Sequence, residues 1–163
     1  MTRFLRTRPG TLPYGDPAML LATWGGAGLL RGPSGTWGSL AGLPIGWAIL
    51  STTGIPGLVC AILLVTGLGL WATQRILAHG APKDPSAIVV DEVAGLWVAL
   101  VPTGGSPWLI VLAFALFRVL DIAKPFPVSW ADKRVPGAAG VMLDDLIAGA
   151  LAAVVVGAWG LVG

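Results

Sequence analysis

Residues 140–151 read GVMLDDLIAGAL, and the two adjacent aspartates interrupt an apolar run that continues to about residue 162. A run of this length predicts a membrane-spanning helix. A carboxylate in hydrocarbon costs free energy, and two neighbouring carboxylates also repel each other. Asp144 and Asp145 therefore need something nearby that compensates their charge.

The composition is that of an integral membrane protein. Of the 163 residues, 55% are hydrophobic and only 11% are charged, whereas soluble domains carry about 25% charged residues. The mean hydropathy is +0.83, and the 24 glycines suit close helix packing in a membrane. A net charge of +2, without a basic run interleaved with aromatics, argues against nucleic acid as a partner. We expect one all-α membrane domain over residues 1–163.

Apolar stretches predict a bundle of about five transmembrane spans, each of which needs about 20 residues. The segments TTGIPG and PTGGSP predict tight turns after the first and third spans. A further stretch, at about residues 17–30, is too short and too rich in glycine to span, so it predicts an N-terminal interfacial helix. The predicted spans lie at about 37–53, 57–74, 88–102, 107–122 and 140–162.

The charged residues all fall on one side of this five-span bundle. Lys and Arg favour the cytoplasmic side of a membrane, so the pattern predicts a cytoplasmic N-terminus, with residues 1–16 as a tail, and an external C-terminus. Both turns and the C-terminal end carry no charge. The charged residues are Arg3, Arg6, Arg8, Asp16, Arg31, Arg75, Lys83, Asp84, Asp91, Glu92, Arg118, Asp121, Lys124, Asp132, Lys133, Arg134, Asp144 and Asp145.

Five of the acids sit where spans meet the predicted cytoplasmic face. Asp91 and Glu92 begin the third span, Asp121 ends the fourth, and Asp144 and Asp145 lie one turn into the fifth. Five carboxylates around one point require a hard divalent cation, and an all-oxygen shell selects Mg²⁺, Mn²⁺ or Ca²⁺. The alternative for either pair alone is that it complements a helix dipole. Asp121 lies near a helix C-terminus, where that explanation fails.

Basic side chains are interleaved with these acids. Arg118 is three residues before Asp121, and Lys124 is three residues after it. An arginine inside the apolar run LFRVLDI needs an anionic partner, which is either Asp121 in a structural pair or a phosphate.

The segment RGPSGTWGSLAG, residues 31–42, is a second candidate for contact with an anion. Glycines and hydroxyls at a helix start can offer donors to a phosphate, here from Thr36 or Ser39; the alternative is an ordinary capped helix start. His79 is the single histidine and lies in a loop, so a two-histidine phosphatase site and a Ser/His/Asp triad are excluded.

These motifs together resemble the phosphatidylglycerophosphatase A family, the bacterial membrane phosphatases of phosphatidylglycerol synthesis. The patterns D-E, R-x-x-D-x-x-K-P and L-D-D-x-x-A-G coincide in the family's order and spacing. The matching stretches are GPSGTWGSLAGLP (32–44), SAIVVDEVAGLW (86–97), FRVLDIAKPFPVSWADK (117–133) and GAAGVMLDDLIAGALAA (137–153).

The resemblance implies Mg²⁺-dependent hydrolysis of the terminal phosphomonoester of phosphatidylglycerophosphate, at the cytoplasmic face of the bacterial inner membrane. Beyond this substrate and the membrane lipids, no protein partner is deducible. Attack on phosphorus by an aspartate and attack by water stay open. The implied catalytic residues and metal ligands are Asp91, Glu92, Asp121, Asp144 and Asp145, and the implied substrate-binding residues are Thr36, Ser39, Arg118 and Lys124.

Competing functions explain the sequence less well. A CDP-alcohol phosphotransferase would need a D-x-x-D-G…G-x-x-x-D-x-x-x-D run, which is absent. A carboxylate-lined cation transporter would need acids along the whole path, yet all of them lie near one face. Another metal-dependent enzyme acting on lipid headgroups remains an alternative. A purely structural membrane subunit would leave five clustered acids without a role.

Overall fold

The computed structural model describes residues 9–82 and 85–160, and within these ranges the chain is helical with no strand. The predicted all-α class is confirmed. The tail up to residue 8, Lys83 with Asp84, and the last two residues of the 140–162 stretch lie outside the described residues. The α-helices are α1 (Pro17–Ala22), α2 (Ser34–Ala78), α3 (Val90–Leu100), α4 (Pro107–Ala123), α5 (Val128–Arg134) and α6 (Gly137–Gly160), with short 3₁₀ helices at Ala27–Leu29 and Val101–Thr103.

Helix α2 consists of two arms, residues 34–53 and 55–78, which meet at Gly54. This residue has φ 69° and ψ −168°, a conformation open to glycine because it has no β-carbon. Pro56 follows two residues later, and its fixed φ suits the first turn of the second arm. The turn predicted from TTGIPG is confirmed.

The two arms run in opposite directions beside α3. In the first arm, a β-carbon built on Gly38 would meet the side chain of Val89, just before α3 begins. In the second arm, a β-carbon built on Gly69 would meet Val90, the first residue of α3. Both outer ends of α2 therefore lie at the end of the bundle where α3 starts, and the bend at Gly54 lies at the other end.

Helix α3 forms the centre of the bundle, and nine of its eleven residues are buried. It crosses α6 where Gly95 faces Gly149, so closely that a β-carbon on Gly149 would lie 2.1 Å from the carbonyl oxygen of Gly95. On its other side, Trp97 Nε1 donates a hydrogen bond of 2.9 Å to the carbonyl oxygen of Gly42 in α2. Small residues thus let three helix backbones approach closely.

We expect Gly149→Ala to lower the free energy of unfolding by about 1–3 kcal/mol, because the added methyl would force α6 away from Gly95. Gly67→Ala, in the second arm of α2, is the matched control, since its β-carbon would meet nothing within 4 Å. Circular dichroism during thermal unfolding in detergent measures both variants. Equal midpoints would contradict the close α3–α6 crossing.

Two helices, α2 and α6, are long and apolar enough to cross a membrane. Helices α3 and α4 have 11 and 17 residues, so each is shorter than the 20 or so residues of a typical span. The stretch at 17–30 forms α1 and a 3₁₀ turn, and it packs onto the bundle: Met19 and Ala22 are fully buried, and the amide of Val89 donates to the carbonyl of Ala22.

The helices alternate in direction and so define two ends. At one end lie the starts of α2, α3 and α6 together with the end of α4, which carries Arg118 next to Gly35. At the other end Gly157 approaches Pro102, and Gly105 approaches Ser51. The charged residues of α3, α4 and α6 all lie at the first end, which therefore holds the candidate site.

Candidate metal and phosphate site

The start of α3 presents the first two acids. Val89, with φ −142°, precedes the helix in a non-helical conformation, and Asp91 and Glu92 occupy the first turn. Carboxylates here are stabilised by the positive end of the helix dipole. Asp91 Oδ1 also accepts a hydrogen bond of 3.1 Å from the amide of Glu92. The start of α3 therefore fixes the backbone positions from which the Asp91 and Glu92 side chains extend.

Helix α6 brings the second pair of acids to the same place. Asp144 and Asp145 lie in its third turn and are buried. The crossing with α3 is so tight here that a β-carbon on Gly95 would lie 2.4 Å from the carbonyl oxygen of Asp145. The helix crossing therefore sets the distance between the carboxylates of α3 and α6.

Three carboxylates form a compact group, which we call the acid triad: Asp91, Glu92 and Asp145. Each offers one oxygen, and these oxygens all lie within 4.8 Å of one another. Within the described part of the chain, Glu92 Oε2 and Asp145 Oδ1 are buried without a hydrogen-bond partner. Three carboxylates so close together repel one another. An all-oxygen donor set with free, buried oxygens fits a hard divalent cation.

The acid triad lies in the wall of a cavity of about 360 Å³ at this end of the bundle. All five of the acids predicted to cluster line this one cavity. The full set of lining residues is Ser34, Ser86, Ile88, Asp91, Glu92, Asp121, Lys124, Asp132, Val135, Gly137, Gly140, Val141, Asp144 and Asp145.

Lys124 supplies a positive charge to the cavity. It ends α4 in a left-handed conformation, with φ 46°, and its Nζ donates to Asp132 Oδ1 at 2.5 Å and to Asp144 Oδ2 at 2.7 Å. Partial burial disfavours its charged form, but the hydrogen bonds and charges of these two aspartates outweigh that effect and raise the pKa of Lys124 above its usual value. The side chain therefore stays protonated.

Arg118 lies beside the acid triad. Its Nη1 donates to Asp121 Oδ2 at 2.6 Å, so the ion pair considered from the sequence is present. A β-carbon on Gly35 would lie 2.3 Å from Glu92 Oε1 and 2.9 Å from Arg118 Nη1. Only a residue without a side chain at the start of α2 leaves space for both groups. Arg118 Nε is buried and, among the described residues, has no hydrogen-bond partner.

Comparisons with known proteins identify the family of this chain. A family model described as phosphatidylglycerophosphatase A matches residues 20–159. The chain belongs to that family. A relative named phosphatidylglycerophosphatase A from Haemophilus influenzae is 38% identical over 142 residues, which cover 86% of this chain and 87% of the relative. One of the same name from Escherichia coli is 34% identical over 145 residues, covering 87% and 83%.

A third relative carries a different name. The Bacteroides thetaiotaomicron protein named "Putative phosphatidylinositol-3-phosphatase" is 34% identical over 149 residues, which cover 87% of this chain and 89% of that protein. All three names are those of phosphatases. No solved structure matches the chain.

Two residues implied by the family resemblance lie apart from the cavity. Helix α2 begins at Ser34, so Thr36 falls in its first turn, half-buried, and Ser39 is fully buried with no hydrogen-bond partner for its hydroxyl among the described residues. Neither lines the cavity, whereas Ser34 does. Arg118 is not a lining residue either, but it contacts Asp121, which is one.

Sequence reasoning did not assign a role to Ser34, Ser86 or Asp132, which all line the cavity. Asp132 belongs to α5, a short helix that follows α4 after a turn. In the sequence, Asp132 stands out only as one charge in the segment that follows Lys124. Nothing there distinguishes it as a site residue from the neighbouring surface charges Lys133 and Arg134.

Proposed function

We propose that this member of the phosphatidylglycerophosphatase A family hydrolyses the terminal phosphomonoester of phosphatidylglycerophosphate in a reaction that depends on Mg²⁺. The products are phosphatidylglycerol and phosphate. The observation that supports this most strongly is the acid triad, with its free buried oxygens, in the same cavity as Lys124 and beside Arg118. Residues 1–163 would act as one domain.

The five acids divide into two roles. Asp91, Glu92 and Asp145 would hold the cation, since their oxygens lie close together. Among the described residues, Glu92 Oε2 and Asp145 Oδ1 also have no hydrogen-bond partner. Asp121 and Asp144 each contact a basic side chain, so they would orient Arg118 and Lys124. When bound, Mg²⁺ polarises a phosphoryl oxygen and lowers the pKa of a water molecule.

The basic residues would bind the phosphate oxygens. A guanidinium presents several N–H groups in a planar fork that matches phosphate, and Arg118 Nε is free of other partners among the described residues. Lys124 adds a compact charge. Ser34 lines the cavity, so we assign its hydroxyl the hydrogen-bonding role expected of Thr36 or Ser39.

Water is the nucleophile that we favour over an aspartate, because all five carboxylates already have a cation to hold or a basic side chain to orient. The oxygen of the water would form a bond to phosphorus while the bond from phosphorus to the glycerol oxygen breaks. One proton leaves the water, and the departing glycerol oxygen gains one, so protons balance. Charge neutralisation and positioning would supply most of the rate enhancement.

We also propose that the chain crosses the bacterial inner membrane five times, with the site facing the cytoplasm. Both arms of α2, α3 with its 3₁₀ extension, α4 and α6 alternate in direction, and the charged end is the one that the positive-inside rule assigns to the cytoplasm. Exposed apolar side chains such as Leu63, Leu64 and Val154 would contact lipid. The substrate headgroup would enter the cavity while its acyl chains stay in the bilayer.

Phosphate release by the purified protein in detergent tests the proposed activity. We expect release from phosphatidylglycerophosphate with Mg²⁺, none after EDTA, and recovery when Mg²⁺ is restored. Phosphatidylinositol 3-phosphate is the comparison substrate, because one relative is named for it. Folded protein that releases no phosphate from phosphatidylglycerophosphate in any condition would overturn the proposal, and a clear preference for the inositol lipid would change its substrate.

A further inference from the structure

Lys124 is held between aspartates of two different helices. Asp144 belongs to α6 and is buried, with its side chain 9% exposed, whereas Asp132 belongs to α5 and its side chain is 32% exposed. We propose that Asp132 is a positioning residue: together with Asp144 it fixes the ammonium group of Lys124 for contact with a phosphate oxygen of the substrate. This inference rests on the proposed phosphatase function.

The hydrogen-bonding capacity of the ammonium group supports this role. A protonated lysine has three N–H donors and no acceptor. Asp132 Oδ1, at 2.5 Å, and Asp144 Oδ2, at 2.7 Å, take two of them. Within the described residues one donor is left, and all three residues line the cavity that would receive the phosphate. A long, flexible side chain that is held at two points loses little further freedom when it makes the third contact.

The stability of α5 does not explain why an aspartate stands at position 132. The helix is already anchored to the bundle by Val128 and Ala131, which are both fully buried. An ion pair whose side chains are each about one-third exposed adds little to stability, because solvent screens the charges. Asp132 also lies outside the acid triad, so cation binding does not require it.

Electrostatic repulsion of the phosphate and positioning of Lys124 predict opposite effects of removing the Asp132 charge, so an experiment can separate these two roles. Asp132 is one of six acidic side chains around the cavity, and its negative charge repels a phosphate. If that were its main influence, Asp132→Asn would bind substrate better. If it positions Lys124, the same substitution lowers kcat/KM.

A double-mutant cycle on phosphate release tests the inference, with Asp132→Asn, Lys124→Met and the double variant. We expect Asp132→Asn to lower kcat/KM about 10- to 100-fold, as loss of a supporting hydrogen-bond partner does at metal sites. Lys124→Met should lower it further, and the double variant should equal Lys124→Met within about twofold, because Asp132 acts through the lysine. If the double variant loses the product of the two single losses in kcat/KM, the inference is overturned. Unchanged or higher activity of Asp132→Asn would overturn it as well.

Two further variants separate positioning from folding or metal binding. Asp132→Glu keeps the carboxylate and should recover part of the lost rate; equal losses in the Asn and Glu variants would indicate a structural role and contradict the proposal. A raised Mg²⁺ requirement in Asp132→Asn would make it a metal ligand instead, which also contradicts it. Lys133→Met, on the exposed side of α5, is the matched control. An inactive wild-type protein would count against the proposed function rather than against this inference.

Discussion

Glu92→Gln is expected to lower phosphate release by about 10³-fold, the upper range for losing one electrostatic contact to a reacting group. Glutamine keeps the shape of the side chain but removes its charge and one ligand oxygen. The loss should be large because Glu92 Oε2 is buried without a partner within the described residues and lies in the acid triad. Steady-state release at saturating Mg²⁺ measures the effect.

Asp16→Asn is the matched control for this substitution. Asp16 pairs with Arg75 at 3.1 Å and does not line the cavity, so its variant should retain wild-type activity. If Glu92→Gln keeps a rate within tenfold of the wild-type rate, the acid triad is not where the reaction takes place.

Gly35→Ala is expected to lower kcat/KM about 10²-fold. Its new β-carbon would lie 2.3 Å from Glu92 Oε1 and 2.9 Å from Arg118 Nη1, so at least one of the two groups must move. A displacement of about 1 Å in a catalytic group can cost that factor. Because alanine also favours helix more than glycine does, stability should not fall in parallel.

Gly67→Ala again provides the comparison, since it makes the same change in the same helix where a β-carbon meets nothing within 4 Å. We expect it to leave the rate unchanged. Thermal midpoints of both variants, measured in detergent, show whether a loss of rate is local to the site. A fully active Gly35→Ala variant would contradict the observed approach of Glu92 and Arg118.

The helices and turns could be predicted from the sequence because their signals are local. Glycine and proline in TTGIPG dictate a break, and the structure bends at Gly54. The 107–122 stretch corresponds to α4, which spans Pro107–Ala123. The helix that starts at Val90 is shorter than the stretch predicted from residue 88, because Val89 is not helical and a 3₁₀ turn follows Leu100.

The grouping of the acids could also be predicted, but their division could not. Charges are so rare in this chain that five acids at the ends of apolar runs had to share a face. Which three come within 4.8 Å depends on how α3 crosses α6 at Gly95 and Gly149, and that contact joins residues far apart in sequence. Sequence spacing alone carries no information on it.

The polar residues around the phosphate were the hardest to predict. Helix α2 begins at Ser34, and successive residues of a helix are rotated by about 100°. Ser34 and Thr36, two residues apart, therefore lie on different sides of the helix, and the start of the helix decides which of them lines the cavity. Pro125 follows Lys124 and favours an extended conformation of that lysine. Instead, Lys124 adopts a left-handed conformation that turns the chain. Helix α5 then brings Asp132 back to the side chain of Lys124.

Isothermal titration of Mg²⁺ into the purified protein tests most directly the central claim, that the acid triad holds the cation. Wild-type protein and Asp16→Asn should bind Mg²⁺ with similar affinity, whereas Asp145→Asn should bind it at least about 10-fold more weakly while keeping its helical circular dichroism spectrum. Wild-type affinity for Mg²⁺ in folded Asp145→Asn would contradict the claim.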